Sequence, residues 1–263
     1  MFQLGRVAAT AEALARAPSV ASHRLAAMPA PPRLRRDTVP FTPGLYDNDT
    51  LPDCTAAGLA NVARAFGTLN GAEPVVDPDS VPRFYAACAG VNDTYEDMAA
   101  SGGAVMLDVL RRQLTAGFDV GQQTPLVADF VTLDIGNRQQ LATAMVRLGA
   151  LYCGCELAVA DQAGIGKVWD TGTPASAGDP QPGSWGGHCL IAWAYSGLED
   201  SDYVVLGTWG AWQAATWAWL QSRLAEAHGL AWRQLMPAGG PAWYGLDYDR
   251  LRADGEAWAA QQS

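Results

Sequence analysis

Long apolar runs are missing from this chain of 263 residues. No stretch approaches the roughly 18 apolar residues that a membrane span requires, and residues 1–36 lack the uninterrupted apolar core of a signal peptide. The absence of both argues against a membrane protein and against secretion. We therefore expect a protein that is cytoplasmic or assembled into a particle.

Cysteine and histidine are scarce. Five cysteines, an odd number at irregular spacing in a chain of this length, do not resemble the disulfide framework of a small secreted domain, so reduced thiols are expected. Cys153 and Cys155, with His188 and Cys189 on a possible neighbouring strand, leave a zinc site open as an alternative. Cys-x-Cys is a weaker indication than Cys-x-x-Cys. The expectation is a protein without a metal or a cofactor.

Basic residues are outnumbered, and they are unevenly placed. The chain has 17 basic and 27 acidic residues, for a formal net charge of −10. Six of the arginines lie within residues 1–37, which hold two acidic residues, so the remainder of the chain is strongly acidic. An acidic surface repels nucleic acid. Nucleic-acid binding by the body of the protein is therefore not expected.

Residues 1–45 are predicted to form an extended basic N-terminal arm. Their prolines prevent a core of their own, so we expect them to become ordered against neighbouring protein chains. Arg33, Arg35 and Arg36 are expected to lie near acidic groups of such a chain. The prolines concerned are Pro18, Pro29, Pro31, Pro32, Pro40 and Pro43.

Residues 46–263 are predicted to form the folded body. A mostly helical lobe, about 46–124, precedes a sheet-rich lobe, about 125–263, and this order is typical of an α+β fold. The predicted helices cover 54–66, 80–88, part of 101–117, 138–148, 213–227 and 246–260, and the predicted strands lie within 125–134, 150–160, 186–197 and 202–210.

One cysteine stands where a helix begins. Pro52 and Asp53 precede Cys54, and Asp53 can cap the free amides of the first turn. The helix dipole favours a thiolate there. Cys54 lies on the small and polar side of this helix, with Gly58 and Asn61, away from the apolar stripe. The pattern predicts an activated thiol, and the alternative is an ordinary buried residue at an interface.

A cysteine nucleophile needs a base, and the chain has three histidines. His23 lies in the arm and His228 near a predicted helix end, which leaves His188. His188 opens an apolar strand after two glycines that leave room in front of its ring. Alone it is typical of a core histidine. Its pairing with Cys54 makes it the candidate base.

In these residues the chain resembles the papain-like cysteine peptidases, across most of residues 46–212. A cysteine heads a helix, a Gly-Gly helix follows, and a helix leading into a strand, the histidine strand and a closing strand come after it. The separation of Cys54 and His188 also lies within the interval of about 130–150 residues found in that family. The matching stretches are SGGAVMLDVLRRQLTAG, LATAMVRLGALYCGCELA, GGHCLIAWAYS and YVVLGTWGAW.

The resemblance implies a role for each residue of the site. Cys54 would be the nucleophile and His188 the general base and acid. Asn48 would replace the oxyanion glutamine of the family, so that its amide and the Cys54 backbone N–H stabilise a tetrahedral intermediate. Trp209 matches the tryptophan that shields the histidine.

The chain departs from the family in two ways. The orienting asparagine falls at Gly207, which has no side chain, so His188 must be oriented by Thr208, by a backbone carbonyl or by water. A large loss of rate is then expected. We also expect no long inhibitory prosegment, because the 45 residues before Tyr46 are too short and too rich in proline.

Two functional hypotheses follow. The first is a thiol hydrolase, a peptidase or amidase whose activity is weak or lost, acting on a peptide or amide through Cys54 and His188. The second is a degenerate papain-like scaffold that serves as a structural or binding component of a larger assembly, such as a phage virion. The basic arm, the missing asparagine and the absent prosegment favour the second.

Overall fold

A computed structural model describes residues 2–23, 29–121, 124–172, 175–236 and 247–261. Its helices are α1 (Ala11–Arg16), α2 (Cys54–Leu69), α3 (Ser80–Ala89), α4 (Tyr95–Ala100), α5 (Met106–Ala116), α6 (Arg138–Leu148), α7 (Trp217–Arg223) and α8 (Tyr248–Ala260). Its strands are β1 (Arg6–Val7), β2 (Ala104–Val105), β3 (Ala128–Thr132), β4 (Leu151–Leu157), β5 (Val168–Trp169), β6 (Gly186–Tyr195), β7 (Tyr203–Thr208), β8 (Ala211–Thr216) and β9 (Leu224–Trp232). Within these ranges no helix has both the length and the apolar character that a membrane span needs.

The described strands form one large sheet and one small one. The large sheet has the order β3–β9–β4–β6–β7–β8–β5 and is antiparallel except where β5 meets β8. β1 and β2 pair in parallel apart from it. Helices dominate the chain before β3 and the large sheet dominates after it, which confirms the α+β class predicted from the sequence.

Helix α2 lies at the centre of the body. Every residue from Cys54 to Ala63 is buried, so the side of α2 predicted to be small and polar is covered as fully as the apolar stripe. A Cβ on Gly58 would come within 2.7 Å of the Cys189 Sγ on β6. The Tyr152 hydroxyl on β4 donates to the Thr55 carbonyl oxygen at 2.7 Å. The small residues therefore let α2 lie directly on the sheet.

One predicted helix is wrong. The stretch 213–227 contains the end of β8, the short helix α7 and the start of β9. Its alanines favour a helix by propensity. However, β9 pairs with β3 on one side and β4 on the other, so it is a central and almost wholly buried strand. Ladder pairing and burial override local propensity here.

The described part of the arm lies on the body of its own chain. The Thr132 N–H donates to the Pro18 carbonyl oxygen at 2.6 Å, and Leu34 exchanges two backbone hydrogen bonds with Tyr195 at 2.9 and 3.1 Å. This placement differs from the expectation of a neighbouring chain, because the same chain supplies the contacts that order the arm.

Arg36 anchors the second half of the arm. Its Nη1 donates to the carbonyl oxygens of Gly149 and Trp193, both at 2.7 Å, and its Nη2 donates to that of Met145 at 2.8 Å. Its guanidinium also lies over the Trp193 ring, 4.3 Å from the centroid. These bonds end on backbone carbonyls, where the sequence predicted acidic groups. Arg33 and Arg35 are exposed.

Replacing Arg36 by alanine should destabilise the chain by about 3 kcal/mol, because three buried carbonyl oxygens lose charge-assisted hydrogen bonds. Urea unfolding with a lower midpoint at unchanged m value would show the loss. The matched Arg35→Ala change, at an exposed position, should alter the free energy of unfolding by less than about 0.5 kcal/mol. Equal midpoints for the two variants would contradict the anchoring role of Arg36.

Candidate active site

Cys54 is the first residue of α2, and its sulfur meets the strand that carries His188. Sγ accepts a hydrogen bond from the backbone N–H of Cys189 at 3.3 Å. Both Cys54 and His188 are fully buried. The structure thus brings the start of the helix and the start of the histidine strand to one place.

The Cys54 thiol is not activated in this state. Burial raises its pKa to about 12, although the backbone N–H groups of Cys189 and Gly5 and the charge of Arg6 act in the opposite direction. Desolvation disfavours the thiolate more than the helix terminus favours it. The expected lowering of the pKa is therefore wrong for the chain with its arm in place, and the thiol is protonated at neutral pH.

His188 is held on two sides. Its Nε2 lies 2.6 Å from the Thr208 Oγ1, and its ring stacks on Trp209 with 4.3 Å between the ring centroids. Its Nδ1 is buried and has no hydrogen-bond partner among the described residues, so no hydrogen bond joins the ring to Cys54. Burial lowers the pKa of His188 to about 3. The imidazole is therefore neutral, like the thiol.

Thr208 occupies the position that contacts the histidine. Successive residues of a strand point to opposite faces, so Gly207 faces away from His188. A Cβ on Gly207 would meet Ile191 Cγ1 and Pro43 Cγ, each at 2.8 Å. The alignment of the orienting asparagine with Gly207 is therefore corrected by one residue, to Thr208.

A tight turn sets the Trp209 ring over the imidazole. Trp209 and Gly210 link β7 to β8 with φ values of 47° and 71°. Positive φ at both central residues is what a type I′ hairpin requires, and for tryptophan it is a strained conformation. The ring is held by stacking, since Phe2 also lies on it with 4.5 Å between centroids.

Asn48 is buried in the loop before α2. Its Nδ2 donates to the Leu51 carbonyl oxygen at 3.3 Å, which ties the side chain to the turn at 48–51. The Asn48 amide also acts on the Asp53 carboxyl, whose pKa it lowers against the effect of burial. The residues before it, Tyr46 and Asp47, have φ values of 53° and 64°, and this left-handed stretch bends the loop toward the helix.

Asp53 precedes α2 without capping it. Its side chain makes no hydrogen bond to the first turn, and neither carboxyl oxygen has a partner at hydrogen-bonding distance and angle. The Asp53 carbonyl oxygen instead accepts from the N–H groups of Ala56 and Ala57. Burial raises the pKa of the Asp53 carboxyl well above its usual range, and the nearby Asn48 amide opposes the shift only in part. The predicted cap is therefore wrong.

Residues 2–7 of the arm lie across the site, and the sequence did not predict this. The Gly5 carbonyl oxygen accepts a hydrogen bond from the Ala104 N–H at 2.8 Å, and Arg6 and Val7 continue the ladder with β2. The Gly5 N–H also acts on the Cys54 thiol. The backbone of the arm therefore covers the sulfur.

Glycines make room for the arm in this groove. A Cβ on Gly103 would come within 2.0 Å of the Gly5 carbonyl oxygen, and one on Gly187 within 2.2 Å of the Arg6 carbonyl oxygen. On the arm itself, a Cβ on Gly5 would come within 1.7 Å of the Pro52 carbonyl oxygen. Only residues without a side chain permit such close backbone contacts. The groove is thus shaped for a polypeptide backbone.

The zinc alternative is not supported by the geometry. In the β4–β6 ladder Cys155 lies opposite His188 and Gly154 opposite Cys189, so Cys189 faces away from Cys153 and Cys155. In the part of the chain that the structure describes, no group of three or more His, Cys, Asp or Glu side chains is arranged to hold a metal ion. The five cysteines are free thiols.

Neither a protein-family model nor a curated protein matches the sequence. The structure, in contrast, is similar to that of xylellain, a cysteine protease from Xylella fastidiosa. The TM-score is 0.64 at 12% identity, with 87% of this chain and 96% of that chain covered. The chain has the papain-like fold.

Two further solved structures share the papain-like fold. Digestive procathepsin L 3 of Tenebrio molitor matches with a TM-score of 0.56 and 12% identity, over 86% of this chain and 75% of that chain. ProCathepsin B S9 from Trypanosoma congolense matches with a TM-score of 0.57 and 10% identity, over 88% of this chain and 83% of that chain. At such identities the likeness concerns the fold.

Gly207→Asn should lower the midpoint of thermal unfolding by about 5 °C, as expected for about 2 kcal/mol of overpacking against Ile191 and Pro43. Tyr203→Asn, at an exposed position on the same strand, should cost less than about 1 kcal/mol. An unchanged midpoint for Gly207→Asn would contradict the steric argument and would restore Gly207 as a candidate orienting position.

Asp53→Asn should stabilise the chain by at least about 1 kcal/mol at about pH 7.5, and by less at about pH 4. Because the folded-state pKa of this carboxyl is raised, the folded chain keeps a proton that the unfolded chain releases above the ordinary pKa of 3.8. The native chain therefore loses stability as the pH rises from that value, and the asparagine variant does not. Urea unfolding at both pH values measures the difference.

The exposed Asp93→Asn variant, whose carboxyl does not act on Asp53, is the control for this measurement, and its stability should follow that of the native chain at both pH values. If Asp53→Asn were less stable than the native chain at about pH 7.5, the carboxylate would have a stabilising partner. That result would contradict the finding that its oxygens have no hydrogen-bond partner.

Proposed function

We propose that this chain is a papain-like cysteine peptidase or amidase that its own residues 2–7 hold in a latent state. The observation that supports the proposal is the extended segment that lies across Cys54, in a groove whose glycines fit a polypeptide backbone. A thiol hydrolase must bind a peptide or amide in that place. Here the place is taken by the arm.

The proposed reaction uses Cys54 and His188. With the arm displaced, His188 Nδ1 takes the thiol proton and Cys54 Sγ attacks the carbonyl carbon of the substrate. The C–N bond breaks as His188 returns the proton to the leaving amine. Water then hydrolyses the thioester, which releases the acid and restores the thiol.

Three neighbours take supporting roles in this proposal. For Nδ1 to accept a proton, Nε2 must carry the other one and donate it to the Thr208 hydroxyl, 2.6 Å away. The Asn48 amide and the Cys54 backbone N–H are the proposed donors to the oxyanion. Trp209 shields the imidazole from solvent through its stacking contact.

In this proposal, burial by the arm keeps the Cys54 thiol and the His188 imidazole neutral. When the arm leaves, solvent reaches the site and both shifts shrink, so that the pKa of Cys54 falls from about 12 and that of His188 rises from about 3. The two values then approach each other, which makes a thiolate–imidazolium pair accessible near neutral pH. Release of the arm is therefore the proposed activating step.

In this proposal the arm acts as a short prosegment. Two of the structurally similar proteins, procathepsin L 3 and proCathepsin B, are proenzymes by name, and xylellain is a cysteine protease. In this chain a few residues at the start of the arm would be enough, because they reach the sulfur directly.

A scaffold without turnover is the second candidate function. It is favoured by the complete burial of Cys54 and His188 and by the missing hydrogen bond between them. On this view the arm is a permanent strand of the body. A component of a larger assembly, such as a phage virion, remains a hypothesis from the sequence, and the described arm contacts its own body.

Gly5→Val in the full chain should expel the arm from the groove, because its side chain would collide with the Pro52 carbonyl oxygen. Iodoacetamide should then label Cys54 at least about tenfold faster at about pH 8, since each unit by which the thiol pKa falls raises the thiolate fraction about tenfold. Peptide mass spectrometry measures the rates, with the buried Cys153 as the internal reference.

Hydrolysis is measured on the same variant with peptide aminomethylcoumarin amides of varied side chains. Activity that disappears when Cys54→Ala is added would support the hydrolase. Ala8→Val, at an exposed position of the arm, is the control and should change neither the labelling rate of Cys54 nor the rate of hydrolysis. Fast labelling without hydrolysis would favour the scaffold, and unchanged labelling in Gly5→Val would contradict latency through the arm.

A further inference from the structure

The side chain of Arg6 leaves the arm and enters a closed pocket in the body. It is 2% exposed, although it belongs to a segment that crosses the surface groove. Its Nη1 lies 2.5 Å from Glu156 Oε1. Its Nε and Nη2 both reach Glu226 Oε1, at 3.0 and 2.9 Å. Two carboxylates from different strands therefore form ion pairs with one guanidinium.

The backbone of strand β4 leaves room for the Arg6 guanidinium in this pocket. A Cβ on Gly154 would come within 2.3 Å of the Arg6 Nε and within 2.7 Å of the Met106 Sδ. The β4–β9 ladder also shifts its register between Gly154 and Cys155, beside the strand that carries Glu226. A glycine and a bulge thus leave space for a long planar side chain at this point.

The floor of the pocket carries a fixed negative charge. Glu226 is fully buried at its side chain, and its other oxygen, Oε2, lies 3.1 Å from His228 Nε2. Burial raises the pKa of the Glu226 carboxyl, but the hydrogen bond with His228 and the charge of Arg6 outweigh it, so the pKa lies below its ordinary value. His228 Nδ1 in turn lies 3.1 Å from the Thr132 hydroxyl. A buried carboxylate held in this way requires a cation opposite it.

The pocket is next to the reacting thiol. Arg6 follows Gly5, the residue that covers Cys54, and the charge of Arg6 itself acts on the thiol. A side chain in this pocket therefore fixes which backbone group of a bound peptide lies beside the sulfur. Charge in such a position selects substrates as well as holding them.

We propose that Glu226 and Glu156 form the specificity pocket of the groove, and that it takes the arginine side chain of a peptide substrate in place of Arg6. The role of the pocket as a substrate site rests on the proposed function. Arginine is favoured over lysine, because its fork of donors reaches both carboxylates at once, whereas an ammonium is a single point charge. On this assignment the arm is an internal substrate mimic.

Binding of a peptide tests the pocket without requiring turnover. The protein is the full chain with Gly5→Val and Arg6→Ala, so that its own arm does not compete. The probe is a fluorescent peptide of residues 2–8, FQLGRVA, compared by polarisation with the same peptide carrying lysine or methionine in place of arginine. The arginine peptide should bind at least about tenfold more tightly than the methionine peptide, with lysine between them.

Variants of the two carboxylates test whether the preference for the arginine peptide arises from this pocket. Adding Glu226→Gln should remove the advantage of the arginine peptide over the methionine peptide, and Glu96→Gln, an exposed carboxylate on α4, should leave it intact. Circular dichroism shows whether Glu226→Gln folds. If it does not, the partly exposed Glu156→Gln, which should reduce the advantage at least about threefold, decides the matter.

The outcomes separate this inference from the proposed function. Tight binding of the arginine peptide without hydrolysis of any coumarin amide would refute the hydrolase and keep the carboxylate pocket. Hydrolysis with no preference for arginine would refute the pocket and keep the hydrolase. Equal binding of the three peptides, or an arginine preference that survives both glutamine changes, would also overturn the inference.

Discussion

The direct contact of helix α2 with strand β6 is the constraint on which the site depends. Gly58 allows it, because any side chain there would meet the Cys189 sulfur at 2.7 Å. The same approach places the Cys54 Sγ 3.3 Å from the Cys189 N–H, one residue beyond His188. A helix brings the thiol and a strand brings the imidazole, so their distance is set by how closely two layers pack. A larger residue at 58 would separate the layers and with them the two groups.

The arm lies on this framework. It reaches the groove through backbone contacts at Gly5 and is held by the Arg6 guanidinium in a pocket with a buried carboxylate. Removing one partner of such a pair is costly, since the other is left buried and charged. The same segment contacts the Cys54 thiol, and Cys54 and His188 are both buried and neutral. One displacement would therefore expose the charge of the pocket and the chemistry of the pair together.

The parts of the site with local signals could be predicted from the sequence. Cys54 marks a helix start and His188 a strand start, because proline, aspartate and glycine act within a few residues. Thr208 was one of three alternatives for orienting His188, since only the pairing of the strands decides which residue faces the imidazole. Arg6 could not be placed, because its partners lie 150 and 220 residues away. The order of most helices and strands could be predicted from the sequence, whereas the long-range contacts could not.

Under the proposed function, the arm lies where a substrate would bind and must escape being cut, and the burial of Cys54 and His188 supplies a physical reason for its resistance. Attack on the arm would need a thiolate, and a thiol with a pKa of about 12 is ionised in only about one molecule in 10⁵ at neutral pH. His188, with a pKa of about 3, is a weak base in the same state. Both shifts arise from burial, and the docked arm contacts the thiol directly through Gly5. The closer the fit of the arm, the less able the site is to react with it, so that tight docking and resistance to cleavage have the same cause.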